Sequence, residues 1–223
     1  MRPDTIAVHV GNEADPATGA VAPPIHLATT FRHGPDGERI AGYEYQREGN
    51  PTNDRLRDAL AALEGGAEAL TFASGMAAMT TLLECLPNGA RVLFPDDCYS
   101  GLRMLFREFL PERGIVADVV DMSDLDAVRV ACARPVALLW IETPSNPRMK
   151  ISDIAALSEI GHASGAIVVA DNTFATPLLQ RPLALGADIA MHSTTKYFGG
   201  HSDVLGGAVV FARKDEFAQR VAH

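Results

Sequence analysis

The most chemically suggestive stretch of the sequence surrounds Lys196. It runs from Asp188 to Gly207 and reads DIAMHSTTKYFGGHSDVLGG. An apolar run typical of a buried strand precedes the lysine, and a glycine-rich turn follows it. Hydroxyl side chains at Ser193 and Thr195 lie just before it in the sequence. The combination predicts an amine nucleophile beside an anion site, although an ordinary surface lysine on a loop would also fit this stretch alone.

A second candidate anion site follows a strand predicted at 69–73. Ser74, Gly75 and Met76 come directly after that strand and open an apolar helix that extends to about Leu86. Free backbone N–H groups and the positive end of the helix dipole would point outward at such a turn. One turn of this kind is weak evidence by itself, since many strand-to-helix turns bind nothing.

Three further polar side chains follow predicted strands. Tyr99 lies in the turn after the strand at 91–94, and Asn146 lies in ETPSNP, after the strand at 136–141. Asp171 comes directly after the apolar run IVVA. A buried aspartate without a cationic partner tends to become neutral. Asp171 therefore indicates a cationic partner, with a turn or helix cap as the alternative, and Tyr99 could stack on a ring.

The elements that would position these residues alternate regularly after about residue 52. Strands rich in Val, Ile, Leu and Ala are separated by amphipathic helices, which predicts an α/β fold with a mostly parallel sheet and helices on both faces. The predicted helices include one after a cap at Thr52 or Asn53, 102–110, 124–132 with a cap at Ser123, and 154–163 with a cap at Ser152. Ligands collect at the carboxyl ends of parallel strands. The polar loops are therefore expected to meet at one edge of the sheet.

One cofactor requires a lysine, a buried acid, an anion site and an aromatic platform together. Pyridoxal 5′-phosphate forms an imine with a lysine, needs a carboxylate beside its ring nitrogen, and binds its phosphate through N–H groups and hydroxyls. The sequence therefore predicts a pyridoxal-phosphate site with Lys196 as the imine lysine and Asp171 as the acid. At its ordinary pKa only about one lysine in two thousand is neutral at pH 7, so a site that disfavours the ammonium form would assist Lys196.

Longer motifs carry a specific resemblance. The stretches HSTTKYFGGHSD, VVADNTFATP, DPATGAVAPPI and YEYQREGNPT resemble the trans-sulfuration family of pyridoxal-phosphate enzymes, which includes cystathionine γ-synthase, cystathionine γ-lyase, cystathionine β-lyase and methionine γ-lyase. The likeness covers essentially all 223 residues. It implies an aspartate-aminotransferase-like large domain of fold type I. It also implies β- or γ-elimination, or γ-replacement, on a small amino acid such as cystathionine or an O-acyl-homoserine.

The resemblance also implies roles for individual residues. Lys196 would attach the cofactor and serve as base and acid, Asp171 would pair with the ring nitrogen, and Tyr99 would stack on the ring and assist proton transfer. Asn146 would touch the ring hydroxyl. The remaining cofactor-binding residues, expected around the phosphate, are Ser74, Gly75, Met76, Ser193 and Thr195.

Residues 1–52 are predicted to form an irregular arm, because they hold six prolines and show little periodicity. Residues 53–223 then form the cofactor-binding large domain. On the residues alone, Tyr45 and Arg47 are a packed aromatic and a solvated guanidinium. The resemblance instead implies that they bind the phosphate of a neighbouring subunit's cofactor. A homodimer would then be the smallest active unit, and a homotetramer of two dimers is expected.

The sequence departs from the family pattern in two places. The turn after the stacking tyrosine is usually Gly-Gly-Thr, whereas this chain has Ser100-Gly101-Leu102. Family members also continue into a smaller C-terminal domain, whose arginine grips the substrate's α-carboxylate. Because this chain stops at His223, that domain is expected to be absent. A catalytically incomplete, dimerising cofactor-binding fragment is therefore one alternative, and a fold type I aminotransferase is another.

Composition argues against several other classes of protein. The net charge is −9 and no basic run occurs, which argues against nucleic-acid binding. No apolar run reaches ~18 residues, so no membrane span is expected. The N-terminus lacks the apolar core of a signal peptide, and the three cysteines are widely spaced, as expected in a reducing cytoplasm. His192, His201 and Asp203 could form a metal site, but they are expected to orient the lysine loop instead.

Overall fold

A seven-stranded sheet organises most of the chain in the computed structural model, which describes residues 2–223. The chain divides into two units, one ending at Leu63 and one running from Glu64 to His223. The sheet lies entirely in the second unit. Its strands are β1 (Glu68–Phe72), β2 (Arg91–Pro95), β3 (Val116–Val120), β4 (Leu138–Glu142), β5 (Ile167–Asp171), β6 (Ile189–His192) and β7 (Gly207–Phe211).

Helices alternate with these strands along the chain. Within residues 2–223 the α-helices are α1 (Pro3–His9), α2 (Pro51–Glu64), α3 (Gly75–Glu84), α4 (Ser100–Met104), α5 (Leu125–Ala131), α6 (Ile154–Ala163), α7 (Thr176–Leu179) and α8 (Glu216–Ala222). In the part of the chain that the structure describes, no helix combines the length and the apolar character needed to cross a membrane.

The strand order is β1-β7-β6-β5-β4-β2-β3. Strand β7 is antiparallel to both of its neighbours, and every other pair is parallel. The predicted α/β fold with a mostly parallel sheet is therefore confirmed. The topology also places the carboxyl ends of β1, β2, β4, β5 and β6 at one edge, so the loops that follow them share that edge.

Strand β4 shows why the sheet is buried on both faces. All five of its residues are buried, and alternate side chains point to opposite faces. Leu138 and Trp140 pack into a core covered by α3, α4 and α8, while Leu139 and Ile141 pack into a second core beneath α5 and α6. The near-continuous apolar strands of the sequence reflect this two-sided burial.

Three predicted helix caps are wrong by one to three residues. Helix α2 begins at Pro51, and Asn50 Oδ1 accepts a hydrogen bond from Thr52 N at 2.9 Å. Helix α5 is capped by Asp124 instead of Ser123, and α6 is capped by Asp153 instead of Ser152. In the last two cases two cap-forming residues are adjacent in sequence, and only the backbone path decides which of them reaches the free N–H groups.

The helix predicted at 102–110 is longer and less regular than expected. Helix α4 begins at Ser100, continues as a π-helical turn over Leu105–Phe109, and ends in a 3₁₀ turn over Leu110–Arg113. Gly114 follows in the left-handed region, with φ of 69°. A glycine adopts this conformation at little cost and thereby ends the helical segment.

The first unit is mostly irregular, with one short helix that the sequence analysis did not predict. Helix α1 covers seven residues and starts with Pro3 and Asp4 in its first turn, both of which favour a helix start. Isolated bridges join Thr30 to Tyr45 and His33 to Arg39. The segment is therefore held together by local pairings rather than by an extended sheet.

Candidate active site

A cavity of about 150 Å³ lies at the edge where the parallel strands end. Nine of the predicted site residues line it: Ser74, Gly75, Met76, Tyr99, Asn146, Asp171, Ser193, Thr195 and Lys196. They lie at the ends of five different strands or in the loops that follow them, so the expected convergence of the polar loops is confirmed. The cavity is also lined by residues that the sequence analysis did not single out, among them Glu142, Thr173 and Phe174.

One wall of the cavity is the start of α3. Ser74 caps the helix: its Oγ accepts a hydrogen bond from Ala77 N at 3.0 Å, and its carbonyl oxygen accepts one from Ala78 N at 3.1 Å. The N–H groups of Gly75 and Met76 remain at the open end of the helix. Together with the helix dipole they form a local positive potential suited to an anion such as a phosphate group.

Two glycines allow the backbones around this wall to approach closely. A Cβ at Gly75 would lie 2.8 Å from Ser193 Cβ, and a Cβ at Gly207 would collide with the backbone of Ser74. Only glycine therefore lets the start of α3, the end of β6 and the start of β7 meet. The tight approach places Ser193 beside the open helix end.

Replacing Ser74 with alanine should weaken both the fold and the anion site. We expect a loss of about 1 kcal/mol in the free energy of unfolding, because a helix cap is removed, and a severalfold weaker affinity for pyridoxal phosphate. Asp215→Ala is the matched control, since Asp215 caps α8 in the same way through Ala218 N but lies outside the cavity. Urea unfolding and cofactor titration are measured for both variants. Equal losses of cofactor affinity in the two variants would contradict the assignment.

Asp171 lines the cavity and is only 6% exposed. Its Oδ1 accepts a hydrogen bond from Thr173 N at 3.0 Å. Burial raises the pKa of Asp171, against the opposing effects of Thr173 and of nearby His192. No lysine or arginine pairs with Asp171 within residues 2–223. A cationic group in the cavity would therefore resolve the cost of burying this carboxylate.

Lys196 is exposed at the rim of the same cavity. The sequence contains three lysines, and the other two are engaged in ion pairs: Lys150 Nζ lies 2.7 Å from Asp121 and Lys214 Nζ lies 3.9 Å from Glu68. Across residues 2–223, no ion pair involving Lys196 is found. Its amine is thus the lysine amine that can act as a nucleophile in the cavity.

The glycine-rich turn around Lys196 is closed by hydrogen bonds. Gly206 N donates to Thr195 Oγ1 at 3.1 Å, and Gly200 N donates to the carbonyl oxygen of Lys196 at 2.8 Å. Three residues before the lysine, Ser193 N donates to Thr173 Oγ1 at 2.8 Å. These contacts tie the lysine loop both to β7 and to the loop that follows Asp171.

Tyr99, Asn146 and Glu142 form a further part of the cavity lining. A Cβ at Gly101 would lie 2.5 Å from Tyr99 Cε1 and 2.7 Å from Met76 Sδ. Gly101, the one residue of the family's Gly-Gly-Thr turn that this chain keeps, therefore makes room for the tyrosine ring. Glu142 was missed because it ends a buried strand and resembles a solvated strand end. The only sequence signal was its position one residue after the apolar run of β4.

Behind the cavity lies a fully buried polar network. Glu64 Oε1 lies 2.6 Å from His192 Nε2 and accepts a hydrogen bond from Asn172 Nδ2 at 2.8 Å. His192 is therefore engaged with an acid inside the protein, whereas His201 and Asp203 are exposed. Among the described residues no group of three or more His, Cys, Asp or Glu side chains could hold a metal ion. The network instead supports the segments that carry Asp171 and Lys196.

Tyr45 and Arg47 lie in the first unit and are both exposed. The Arg47 guanidinium carbon is 5.2 Å from the centre of the Tyr45 ring, a distance at which a cation and an aromatic face attract each other. The two side chains thus form a pair at the surface of their own unit. Their binding of a neighbouring subunit's cofactor stays a prediction.

Comparison with known proteins defines the class to which this site belongs. The family described as Cys/Met metabolism PLP-dependent enzyme matches residues 4–223. A probable cystathionine gamma-synthase of Herpetosiphon aurantiacus is 45% identical over 217 residues, covering 97% of this chain and 67% of that protein. A cystathionine beta-lyase of Coxiella burnetii is 44% identical over 221 residues, covering 99% of this chain and 57% of that protein.

The fold leads to the same class. The crystal structure of metB from Corynebacterium glutamicum matches with a TM-score of 0.96 and 40% identity, over 100% of this chain and 58% of that chain. The chain belongs to the Cys/Met metabolism family of pyridoxal-phosphate-dependent enzymes, and the resemblance to the trans-sulfuration enzymes and the fold type I architecture are confirmed. It spans between about half and two thirds of the length of the relatives it matches.

The residues of the cavity fit this cofactor. The open helix end at Gly75 and Met76 suits its phosphate, and the buried carboxyl of Asp171 lacks the cation that a protonated ring nitrogen would provide. The amine of Lys196 is available for covalent attachment. All three features line one cavity, which is the arrangement that a single molecule of pyridoxal phosphate requires.

Proposed function

We propose that the protein to which these residues belong catalyses β- or γ-elimination, or γ-replacement, on a sulfur-containing or O-acylated amino acid. Cystathionine and O-acyl-homoserines are the proposed substrates, and the reaction most resembles those of cystathionine γ-synthase and γ-lyase. The observation that carries the proposal is the placement of Lys196 and Asp171 in one cavity beside the open end of α3. The names of the similar proteins support the choice of chemistry.

In this proposal each cavity residue has a defined role toward the cofactor. Lys196 attaches it covalently and Asp171 faces its ring nitrogen. Tyr99 stacks on the ring, and Asn146 contacts the ring hydroxyl. The phosphate group is held at the start of α3 and the end of β6 by Ser74, Gly75, Met76, Ser193 and Thr195.

The chemistry divides between the cofactor and the chain. When bound, pyridoxal phosphate supplies an electron-withdrawing ring that accepts the electron pair released at the substrate's Cα. When its amine is not attached to the cofactor, Lys196 Nζ would take the proton from the substrate's Cα and deliver it elsewhere, acting as base and then as acid. Asp171, held charged by a cationic partner, keeps the ring nitrogen protonated. Tyr99 assists the proton transfer as a second residue of the cavity lining.

The proposal extends to assembly and setting. Tyr45 and Arg47 are proposed to bind the cofactor phosphate of a neighbouring subunit, with residues 1–52 as an arm and residues 53–223 as the cofactor-binding domain. A homodimer is then the smallest active unit, and a homotetramer is the proposed assembly. The proposed location is the cytoplasm, in keeping with the three free cysteines of the structure.

The proposed activity is tested by incubating the purified protein and pyridoxal phosphate with cystathionine. We expect an α-keto acid to accumulate, and we expect cystathionine to form when an O-acyl-homoserine and cysteine are supplied instead. Lys196→Ala is the control for reaction outside the site. Stoichiometric conversion of the cofactor to its pyridoxamine form would favour an aminotransferase instead, and cofactor attachment without turnover would favour a cofactor-binding fragment.

A further inference from the structure

Glu142 occupies a position that the proposed function leaves without a role. It is the last residue of β4, and its Cα is the register partner of Asp171, the last residue of the parallel strand β5. Register partners on adjacent strands point their side chains to the same face of the sheet. Both carboxyl groups line the cavity, and both residues are only 6% exposed.

Each carboxyl oxygen of Glu142 holds one loop of the cavity. Oε2 accepts a hydrogen bond from Tyr99 N at 2.9 Å, and Oε1 accepts one from Asn146 N at 2.8 Å. The two loops follow β2 and β4, and the side chains of Tyr99 and Asn146 line the cavity. A single side chain therefore sets the positions of two residues that line the cavity.

Two buried carboxyl groups on register-paired residues of adjacent strands do not both ionise readily. Burial and the nearby Asp171 carboxylate raise the pKa of Glu142 to about 8, against the opposing effect of the N–H groups of Tyr99 and Asn146. Burial raises the pKa of Asp171 as well. Such a pair titrates as a unit and retains one proton at neutral pH. Its net charge is then −1, which one cationic ring nitrogen would balance.

Two other titratable groups act on the pair, and both favour ionised Asp171 with the proton on Glu142. Asp97 adds a further negative charge next to Glu142, and His192 adds a favourable effect for the charged form of Asp171. The remaining groups on the surrounding elements are Cys98, Arg103, Arg148 and Lys196. Arg103 and Arg148 act chiefly on Asp97 and Cys98, and Lys196 is not among the influences on either carboxyl group.

We propose that Glu142 is a positioning residue of the cofactor site, which shares one proton with Asp171 while its two carboxyl oxygens fix the loops of Tyr99 and Asn146. The proton stays on Glu142 when a cation faces Asp171, because ionised Asp171 is then the more stable partner. The single negative charge of the carboxyl pair is then balanced by the protonated ring nitrogen. This inference rests on the proposed function, since it assigns the cation to the cofactor ring.

The shared proton predicts a pH dependence of folding in the cofactor-free protein. Between the unfolded pKa of about 4.3 and about 8, the folded chain holds a proton that the unfolded chain has lost. The folding equilibrium constant therefore falls as pH rises through this window, by up to tenfold per pH unit. It stops falling above about pH 8. Glu142→Gln lacks this proton and should lack this component.

The first experiment is urea unfolding of cofactor-free wild type and Glu142→Gln from pH 6 to pH 9. We expect the ratio of the variant's folding constant to that of wild type to rise at least tenfold between pH 6 and 8 and then to stay flat. Asp121→Asn is the control: Asp121 accepts hydrogen bonds from Lys150 Nζ and Ser123 Oγ, these bonds lower its pKa to about 2, and Asp121 is not among the influences on Glu142. Its ratio should be flat throughout, and a flat ratio for Glu142→Gln as well would overturn the shared proton.

The second experiment measures pyridoxal-phosphate affinity by absorbance titration at pH 7. Glu142→Gln keeps one acceptor oxygen and should bind the cofactor within about threefold of wild type, whereas Glu142→Ala removes both acceptors and should bind at least tenfold more weakly. Wild-type affinity in Glu142→Ala would overturn the positioning role. Failure of wild type to attach the cofactor would instead contradict the proposed function. The unfolding experiment does not involve the cofactor, so it tests the shared proton separately.

Discussion

Replacing Lys196 with alanine is expected to abolish covalent attachment of pyridoxal phosphate and to lower turnover by about 10²–10⁴-fold. Lys196 is the lysine of the cavity, and the other two lysines are held in ion pairs with acids. The visible absorbance that accompanies attachment should therefore disappear. Intact-mass measurement after borohydride reduction should show one added cofactor per chain in wild type and none in the variant.

The matched control for this experiment is Lys214→Ala. Lys214 is likewise a largely exposed lysine, and it pairs with Glu68 at 3.9 Å, an interaction of little energetic consequence at a surface. We expect this variant to retain the spectrum and the added mass. Lys196 is itself exposed, so its replacement should leave the free energy of unfolding nearly unchanged. An unaltered spectrum in Lys196→Ala would show that the cofactor attaches elsewhere or not at all.

Replacing Asp171 with asparagine should lower turnover by about 10²–10³-fold, because a neutral amide cannot stabilise a protonated ring nitrogen. Attachment at Lys196 should persist. The amide oxygen can still accept the hydrogen bond from Thr173 N, so the loop should keep its shape. Steady-state kinetics together with the borohydride assay would separate a loss of chemistry from a loss of cofactor.

The stability of the same variant provides an independent check. Burial raises the pKa of Asp171 in the folded chain. Its ionised form is thus disfavoured by folding, and its contribution to stability is lost as pH rises above the unfolded pKa of about 3.9. Without cofactor, Asp171→Asn should therefore be at least as stable as wild type at pH 7. A marked loss of stability would mean that the carboxylate is a structural group.

Asp188→Asn is the control for a partly buried, hydrogen-bonded acid remote from the cavity. Asp188 precedes β6, at the opposite edge of the sheet from the site, and its oxygens accept hydrogen bonds from Val168 N at 2.9 Å and from Arg213 at 2.7 Å. We expect this variant to lose stability while its cofactor affinity stays at the wild-type value. An equal loss of turnover in Asp171→Asn and Asp188→Asn would contradict a specific role for Asp171.

The fold was predictable because its strands are buried on both faces. The runs around Leu138 to Ile141 and Ile167 to Ala170 are apolar without interruption, which is typical of parallel strands between helical layers. The ends of helices were less predictable. Ser123 and Ser152 have the chemistry of a cap, but Asp124 and Asp153 lie one residue later and make the bonds. Cap choice depends on a backbone path that the residue types do not specify.

By itself, the sequence determined the class of protein and most of the residues that line the cavity. Lysine, aspartate, tyrosine and the Ser-Gly helix start all follow strands, and parallel strands bring such loops to one edge whatever the details of packing. Only the tertiary structure decided which buried groups lie beside one another. Glu142 ends its strand without any unusual neighbour in sequence, and its meaning comes from the register that places it against Asp171. Residue types set what each group can do, whereas burial and proximity set which of them must share a proton.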